Sequence, residues 1–125
     1  MVDAMARILL IDDAEYANDL MQLILVAGGH EIVGKARDGY EGIEKYRQLN
    51  PDLVILDVIM PRMGGMECLN TIRHINPEAK ILVVSADGQE EHIKRLVREG
   101  AMGYIIKPYK KDVVLAEIQT IMGGP

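Results

Sequence analysis

The sequence predicts an α/β fold in which five parallel strands form one sheet and five helices cover both of its faces. Three observations carry that reading. Short apolar runs alternate five times with segments of helical period. Most of the runs are continuously apolar, as strands buried on both faces are. The connections between them are short, which implies right-handed crossovers with helices above and below the sheet.

The elements follow in order. Arg7-Ile8-Leu9-Leu10-Ile11 is a first buried strand, closed by Asp12-Asp13. Ala17, Leu20, Met21, Ile24 and Ala27 recur at three- and four-residue spacing, one stripe of an amphipathic helix that Gly28-Gly29 ends with a left-handed cap. Glu31 to Ala36 is a more polar strand suited to a sheet edge. Asp38-Gly39 makes a turn, and Ile43, Tyr46 and Leu49 mark a second helix. The central strand is Leu53-Val54-Ile55-Leu56, entered through Asn50-Pro51 and closed by Asp57. Cys68, Leu69, Ile72 and Ile75 line a third helix, which stops at Asn76-Pro77. Ile81 to Val84 is a fourth strand, closed by Ser85. Ile93, Leu96 and Val97 mark a fourth helix, ended by Gly100. Tyr104-Ile105-Ile106 is a fifth strand, closed by Lys107-Pro108. Val114, Leu115, Ile118, Ile121 and Met122 give a last helix, with Gly123-Gly124-Pro125 as a frayed tail.

The 125 residues suit one domain, with a core spanning about 7–122, and no linker or repeat interrupts them. A net charge of -5 without a basic patch argues against a nucleic-acid partner. No apolar run reaches transmembrane length or resembles a signal peptide, so a cytoplasmic protein is expected. The lone Cys68 cannot form an internal disulfide, which agrees with a reducing compartment. Without Trp or Phe, the core must be built from Leu, Ile, Val and Met, and the eight methionines read as packing. His30, His74 and His92 share no ligand spacing and read as surface positions.

What closes each strand points to chemistry. A parallel sheet delivers its strand ends to one rim, where ligands bind in open α/β folds. Asp12, Asp13, Asp57, Ser85 and Lys107 would therefore meet there. Like charges about 4 Å apart cost on the order of 4 kcal/mol at an effective dielectric near 20. Three gathered carboxylates thus require a cation, and all-oxygen donors with room for water suit Mg²⁺. Lys107 supplies charge for a phosphoryl group and Ser85 a donor to its oxygens. The chemistry that joins these parts is phosphoryl transfer to a carboxylate, with Asp57 as nucleophile.

Taken together, the acidic pair Asp12-Asp13, the block Asp57-Val58-Ile59-Met60-Pro61 with Gly64-Gly65 behind it, Ser85-Ala86 and Lys107-Pro108 resemble a response-regulator receiver domain of the CheY-like single-domain type. The resemblance covers about Arg7 to Met122 and implies strand order 2-1-3-4-5 in a flavodoxin-like fold. It implies that Asp57 accepts a phosphoryl group from a phosphohistidine on a sensor histidine kinase. Asp13 and Asp57 would bind Mg²⁺ directly with the backbone carbonyl of Ile59, and Asp12 through water. Ser85 and Lys107 would contact the phosphoryl oxygens. Tyr104 would be a rotamer switch coupling phosphorylation to the surface of the fourth helix, fifth strand and fifth helix, where a downstream protein docks. A cis peptide before Pro108 is also expected from the family. Such a protein is a signalling switch, catalysing only its own phosphorylation and dephosphorylation, and chemotaxis or motility is the pathway the resemblance favours. With no output domain in the sequence, the receiver surface itself is expected to carry the signal.

One departure has kinetic content: Ile59 stands where many chemotaxis members carry a polar side chain that helps position hydrolytic water. Four alternatives are weighed at this level. A phosphorelay shuttle to a histidine phosphotransfer protein would use the same residues. A receiver-shaped adaptor would bind partners without being phosphorylated. A Mg²⁺-dependent phosphohydrolase of the haloacid-dehalogenase type needs Asp-x-Asp after its first strand, where this chain has adjacent aspartates followed by Ala14. A dinucleotide-binding enzyme needs a glycine-rich turn there, and Asp12-Asp13-Ala14-Glu15 would repel a pyrophosphate.

Overall fold

The computed structural model describes residues 5–60 and 63–123, the side chains of 15–18 excepted. Its elements are β1 (Arg7–Ile11), α1 (Glu15–Ala27), β2 (Glu31–Ala36), α2 (Gly39–Leu49), β3 (Leu53–Leu56), α3 (Gly65–Ile75), β4 (Ile81–Ser85), α4 (Glu90–Arg98), β5 (Gly103–Ile106) and α5 (Lys111–Gly123). The five strands form one parallel sheet in the order β2-β1-β3-β4-β5. Of the sequence expectations, the side chain of Ala17, Pro61 and the tail residues Gly124 and Pro125 lie outside the described residues.

The alternation of side chains along each strand sorts the core into two layers. Leu9, Ile11, Val54, Leu56, Ile81 and Val83 point to the face covered by α2, α3 and α4, where Ile43, Tyr46, Cys68, Leu69, Ile72 and Leu96 meet them. Ile8, Leu10, Leu53, Ile55, Leu82 and Val84 point to the other face, against Met21, Ile24 and Leu25 of α1 and Val114, Ile118 and Ile121 of α5. Each fully buried aliphatic side chain contributes about 1.5–3 kcal/mol relative to exposure. That holds the strands, and hence their ends, in fixed register.

Three local expectations are corrected. Leu20 is 43% exposed and Ala27 also faces solvent, whereas Leu25 is fully buried. The stripe that α1 buries therefore runs through Met21, Ile24 and Leu25. Val97 is 51% exposed, and α4 buries Leu96 alone. Asp38-Gly39 is the start of α2 and not a separate turn: Asp38 is the N-cap, its carboxylate accepting from the Glu41 N–H at 2.9 Å. Glu41 in turn accepts from the Arg37 N–H at 3.0 Å, so two donors at the helix entrance are satisfied reciprocally.

Candidate functional site

Backbone hydrogen bonds at the strand ends build the site. The Asp57 N–H donates to the Ile11 carbonyl at 2.9 Å, which ties the residue after β3 to the last residue of β1. Asp57 is thereby set beside Asp12. The Lys107 N–H donates to the Ser85 carbonyl at 2.8 Å, joining the ends of β4 and β5 in the same way. All five residues expected at this rim are placed there by backbone pairing or by direct adjacency to a paired residue.

The side chains then converge. Asp12, Asp13 and Asp57 each present a carboxylate oxygen within 4.8 Å of the others. Lys107 Nζ donates to Asp12 Oδ2 at 3.0 Å and to Asp57 Oδ2 at 3.2 Å. Asp57 Oδ1 accepts from the Ile59 N–H at 3.0 Å, and Asp12 Oδ1 from the Ala14 N–H at 2.8 Å. Ala14, with no side-chain bond, is the N-cap of α1, so Asp13 is spared the capping role its residue type suggests. Asp57 is 8% exposed, Asp12 partly exposed and Asp13 exposed, so the group opens outward from a buried Asp57.

Burial pushes the Asp57 carboxyl above its ordinary range, helped by the Asp12 charge and opposed by the Ile59 N–H and the Lys107 ammonium. Its ionisation thus works against the fold: stability is greatest below the unfolded carboxyl's range and falls as pH rises through the raised one. Burial alone would lower the Lys107 ammonium, but its bond to Asp12 and the charges of Asp57 and Asp12 hold it above the usual lysine value. That pair's stabilisation is fully present at neutral pH and is lost only as pH rises through the raised lysine range. Three carboxylates against one ammonium leave a local excess of negative charge. Clustered oxygen donors with one exposed flank are the set a hard divalent cation takes.

Ser85 is fully buried, and its Oγ accepts from the Asp87 N–H at 3.3 Å. The Tyr104 ring packs on the α2–α4 side of the core, and its hydroxyl donates to the Asp87 carbonyl. Burial raises the Tyr104 phenol, and a hydrogen bond with Ser85 opposes that rise. The Lys107–Pro108 peptide is cis. Ile59 is 59% exposed.

With this geometry in place, comparisons with known proteins agree. The response regulator receiver domain family matches residues 8–119. The chain belongs to that family. This receiver domain is 36% identical to the chemotaxis protein CheY of Thermotoga maritima over 92% of its length and 96% of that relative. It is 39% identical to CheY of Bacillus subtilis, over 90% and 93% respectively. A chain of the CheX–CheY–BeF3–Mg²⁺ complex from Borrelia burgdorferi superposes with a TM-score of 0.90 at 32% identity, covering 92% of this chain and 87% of that one. A two-component response regulator of the LuxR family from Aurantimonas also reaches 0.90, at 30% identity over 97% and 87%. Receiver domains are signalling switches.

Sequence reasoning missed two features of the receiver domain. His92 is half-buried, with Nδ1 2.6 Å from Asp87 Oδ2, and is not a free surface residue. His30 Nδ1 accepts from the Ala6 N–H at 3.0 Å. His74 is exposed as expected. Among the described residues no helix is long and apolar enough to cross a membrane.

Proposed function

We propose that this receiver domain acts as a phosphorylation switch in a chemotaxis or motility pathway of the cytoplasm, with residues 1–125 as one working unit. Asp57 is the acceptor. Its carboxylate oxygen forms a bond to phosphorus as the P–N bond of a phosphohistidine on a sensor kinase breaks, releasing the kinase imidazole. Asp12, Asp13, Asp57 and the carbonyl of Ile59 would hold Mg²⁺, which screens the charge of the incoming phosphoryl oxygens and of the carboxylates. Lys107, poised between Asp12 and Asp57, contacts the transferred group, and Ser85 donates to one of its oxygens. Those contacts bias a two-state arrangement that Tyr104 reports to the surface of α4, β5 and α5, where a downstream protein binds. The observation that supports this reading most is the meeting of Asp12, Asp13 and Asp57 within 4.8 Å, with Lys107 at 3.0 and 3.2 Å from two of them.

The deciding experiment mixes purified protein, Mg²⁺ and a small phosphodonor and locates the modified residue by mass spectrometry. An acyl phosphate on Asp57, abolished in Asp57→Asn and by chelation of the metal, is expected. Labelling that survives Asp57→Asn rejects the acceptor assignment.

Ile59 sets the lifetime. An exposed aliphatic side chain two residues past the acceptor offers hydrolytic water no hydrogen bond. Ile59→Asn supplies one, and the acyl phosphate is expected to decay about three- to tenfold faster, less than the ~10²–10⁴-fold of a full general acid or base because the amide only orients the water. Timed loss of phosphate from the two proteins checks it; unchanged or slower decay in the variant removes the idea.

A further inference from the structure

Asp87 occupies an unusual place in the loop between β4 and α4, because all four of its polar groups are engaged. Its N–H donates to Ser85 Oγ at 3.3 Å, and its carbonyl accepts from the Tyr104 hydroxyl. Its Oδ1 accepts from the Gln89 N–H at 2.9 Å, and its Oδ2 lies 2.6 Å from His92 Nδ1. One residue therefore joins the end of β4, the first residues of α4 and the side chain of β5 that reports the switch.

The carbonyl that receives Tyr104 belongs to the peptide shared with Gly88. A glycine on one side leaves that peptide plane the freest in the loop to turn. The Asp87 N–H is held by Ser85 Oγ on the β4 side, and the Asp87 carboxylate is the residue's anchor on the α4 side. That carboxylate is gripped from one side by the Gln89 N–H and from the other by His92, which lies in the first turn of α4. The side chains of Asp87 and His92 are 25% and 29% exposed, so water competes weakly for this contact. The Gln89 N–H and the His92 contact also hold the Asp87 carboxyl below its ordinary range.

We infer that His92 is a positioning residue for the switch: its contact with Asp87 turns the Asp87 carbonyl toward Tyr104 and holds the tyrosine ring inward before any phosphoryl group arrives. The role given to Tyr104 rests on the phosphorylation-switch reading above, whereas the coupling of His92 to Tyr104 stands on geometry alone. A prepositioned ring lowers what Ser85 and Lys107 must supply on phosphorylation, because part of the population is already in the favoured arrangement.

The test reads Tyr104 directly. Fluorotyrosine is incorporated, the Tyr104 resonance is assigned by its loss in Tyr104→Phe, and its exposure is measured by broadening with a soluble paramagnetic agent. In His92→Ala the ratio of inward to outward ring is expected to fall about five- to tenfold, the scale of one lost charge-assisted hydrogen bond. His92→Asn keeps a donor near the Nδ1 position and should restore most of the ratio, which a role in helix stability alone would not. Asp87→Asn should resemble His92→Ala, and the double variant should be no worse than either, since both remove one contact. Unchanged Tyr104 exposure in His92→Ala, equal exposure in the Ala and Asn variants, or additive effects in the double variant would overturn the inference. Should His92→Ala not fold, Asp87→Asn against His92→Asn carries the same comparison. Acyl phosphate on Asp57 is scored separately in the unaltered protein. Its absence sinks the receiver mechanism without touching the ring measurement, and the reverse holds equally.

Discussion

Gly65→Ala is expected to destabilise the protein by about 3 kcal/mol, with the transition midpoint about 10 °C lower. Helix propensity alone argues the opposite, since Gly65 is the first residue of α3 and alanine gains up to about 1 kcal/mol in a helix. Space decides the sign. A Cβ at Gly65 would lie 2.1 Å from Val58 Cα and 2.8 Å from the Asp57 carbonyl oxygen. Both are backbone atoms, so no rotamer change relieves the clash. Either α3 or the segment that follows the acceptor must move. The Gly65 N–H donates to the Val58 carbonyl at 3.0 Å, so the same shift breaks a bond at the helix entrance. Because Asp57 and Val58 are the residues displaced, labelling by a phosphodonor should fall along with stability. Gly64→Ala is the control. There the nearest atom is the Val58 carbonyl at 3.9 Å, an ordinary contact, and stability should fall by no more than about 1 kcal/mol, the cost of alanine in place of glycine at an N-cap. Denaturant unfolding of the two variants checks both expectations, and a Gly65→Ala protein as stable as Gly64→Ala would show that the close approach is not real.

The same approach explains why the acceptor block was readable and other parts were not. Strand ends are local: an apolar run followed by Asp57, Ser85 or Lys107 announces itself, and parallel pairing then brings the endings together without further information. The buried face of α1 was misjudged because Leu20, Met21, Leu23, Ile24, Leu25 and Val26 make that helix apolar nearly all round. Two stripes at three- and four-residue spacing overlap there, and only packing against β1, β3 and α5 selects Met21, Ile24 and Leu25. Val97 failed for a related reason, since α4 is short and touches the core through one residue, Leu96. The Asp87–His92 pair had no sequence signal at all. The two residues are five apart across the junction of a loop and a helix, a spacing that no regular element brings together, and Tyr104 reaches Asp87 from a different strand.

Lys107→Met separates the charge of the site from its shape, and two effects of opposite sign are expected. The ammonium lies between Asp12 and Asp57, with side-chain exposures of 23%, 14% and 9% for the three groups. Removing it strands a buried and a partly buried carboxylate beside Asp13. Loss of one partner from a largely buried pair costs about 3–5 kcal/mol, and partial exposure here puts the metal-free protein toward 2–3 kcal/mol less stable. A divalent cation experiences the reverse. Lys107 is itself a cation on Asp12 Oδ2 and Asp57 Oδ2, so a Mg²⁺ held by the same carboxylates would compete with the ammonium for them. Removing a positive charge from beside a divalent ion would favour its binding through the Coulomb repulsion it relieves. Mg²⁺ affinity is therefore expected to rise at least about tenfold, which is 1.4 kcal/mol. The midpoint shift produced by a fixed Mg²⁺ concentration should grow accordingly. On the proposed phosphorylation reading signalling does not benefit, because Lys107 would no longer meet the phosphoryl oxygens, and acyl phosphate yield should fall even as the metal binds more tightly. Titration of both proteins with Mg²⁺, followed by thermal midpoint and then by phosphodonor labelling, separates the two effects. Weaker Mg²⁺ binding in Lys107→Met would mean that the lysine organises the carboxylates more than it competes for them, and the electrostatic account of this rim would have to be abandoned.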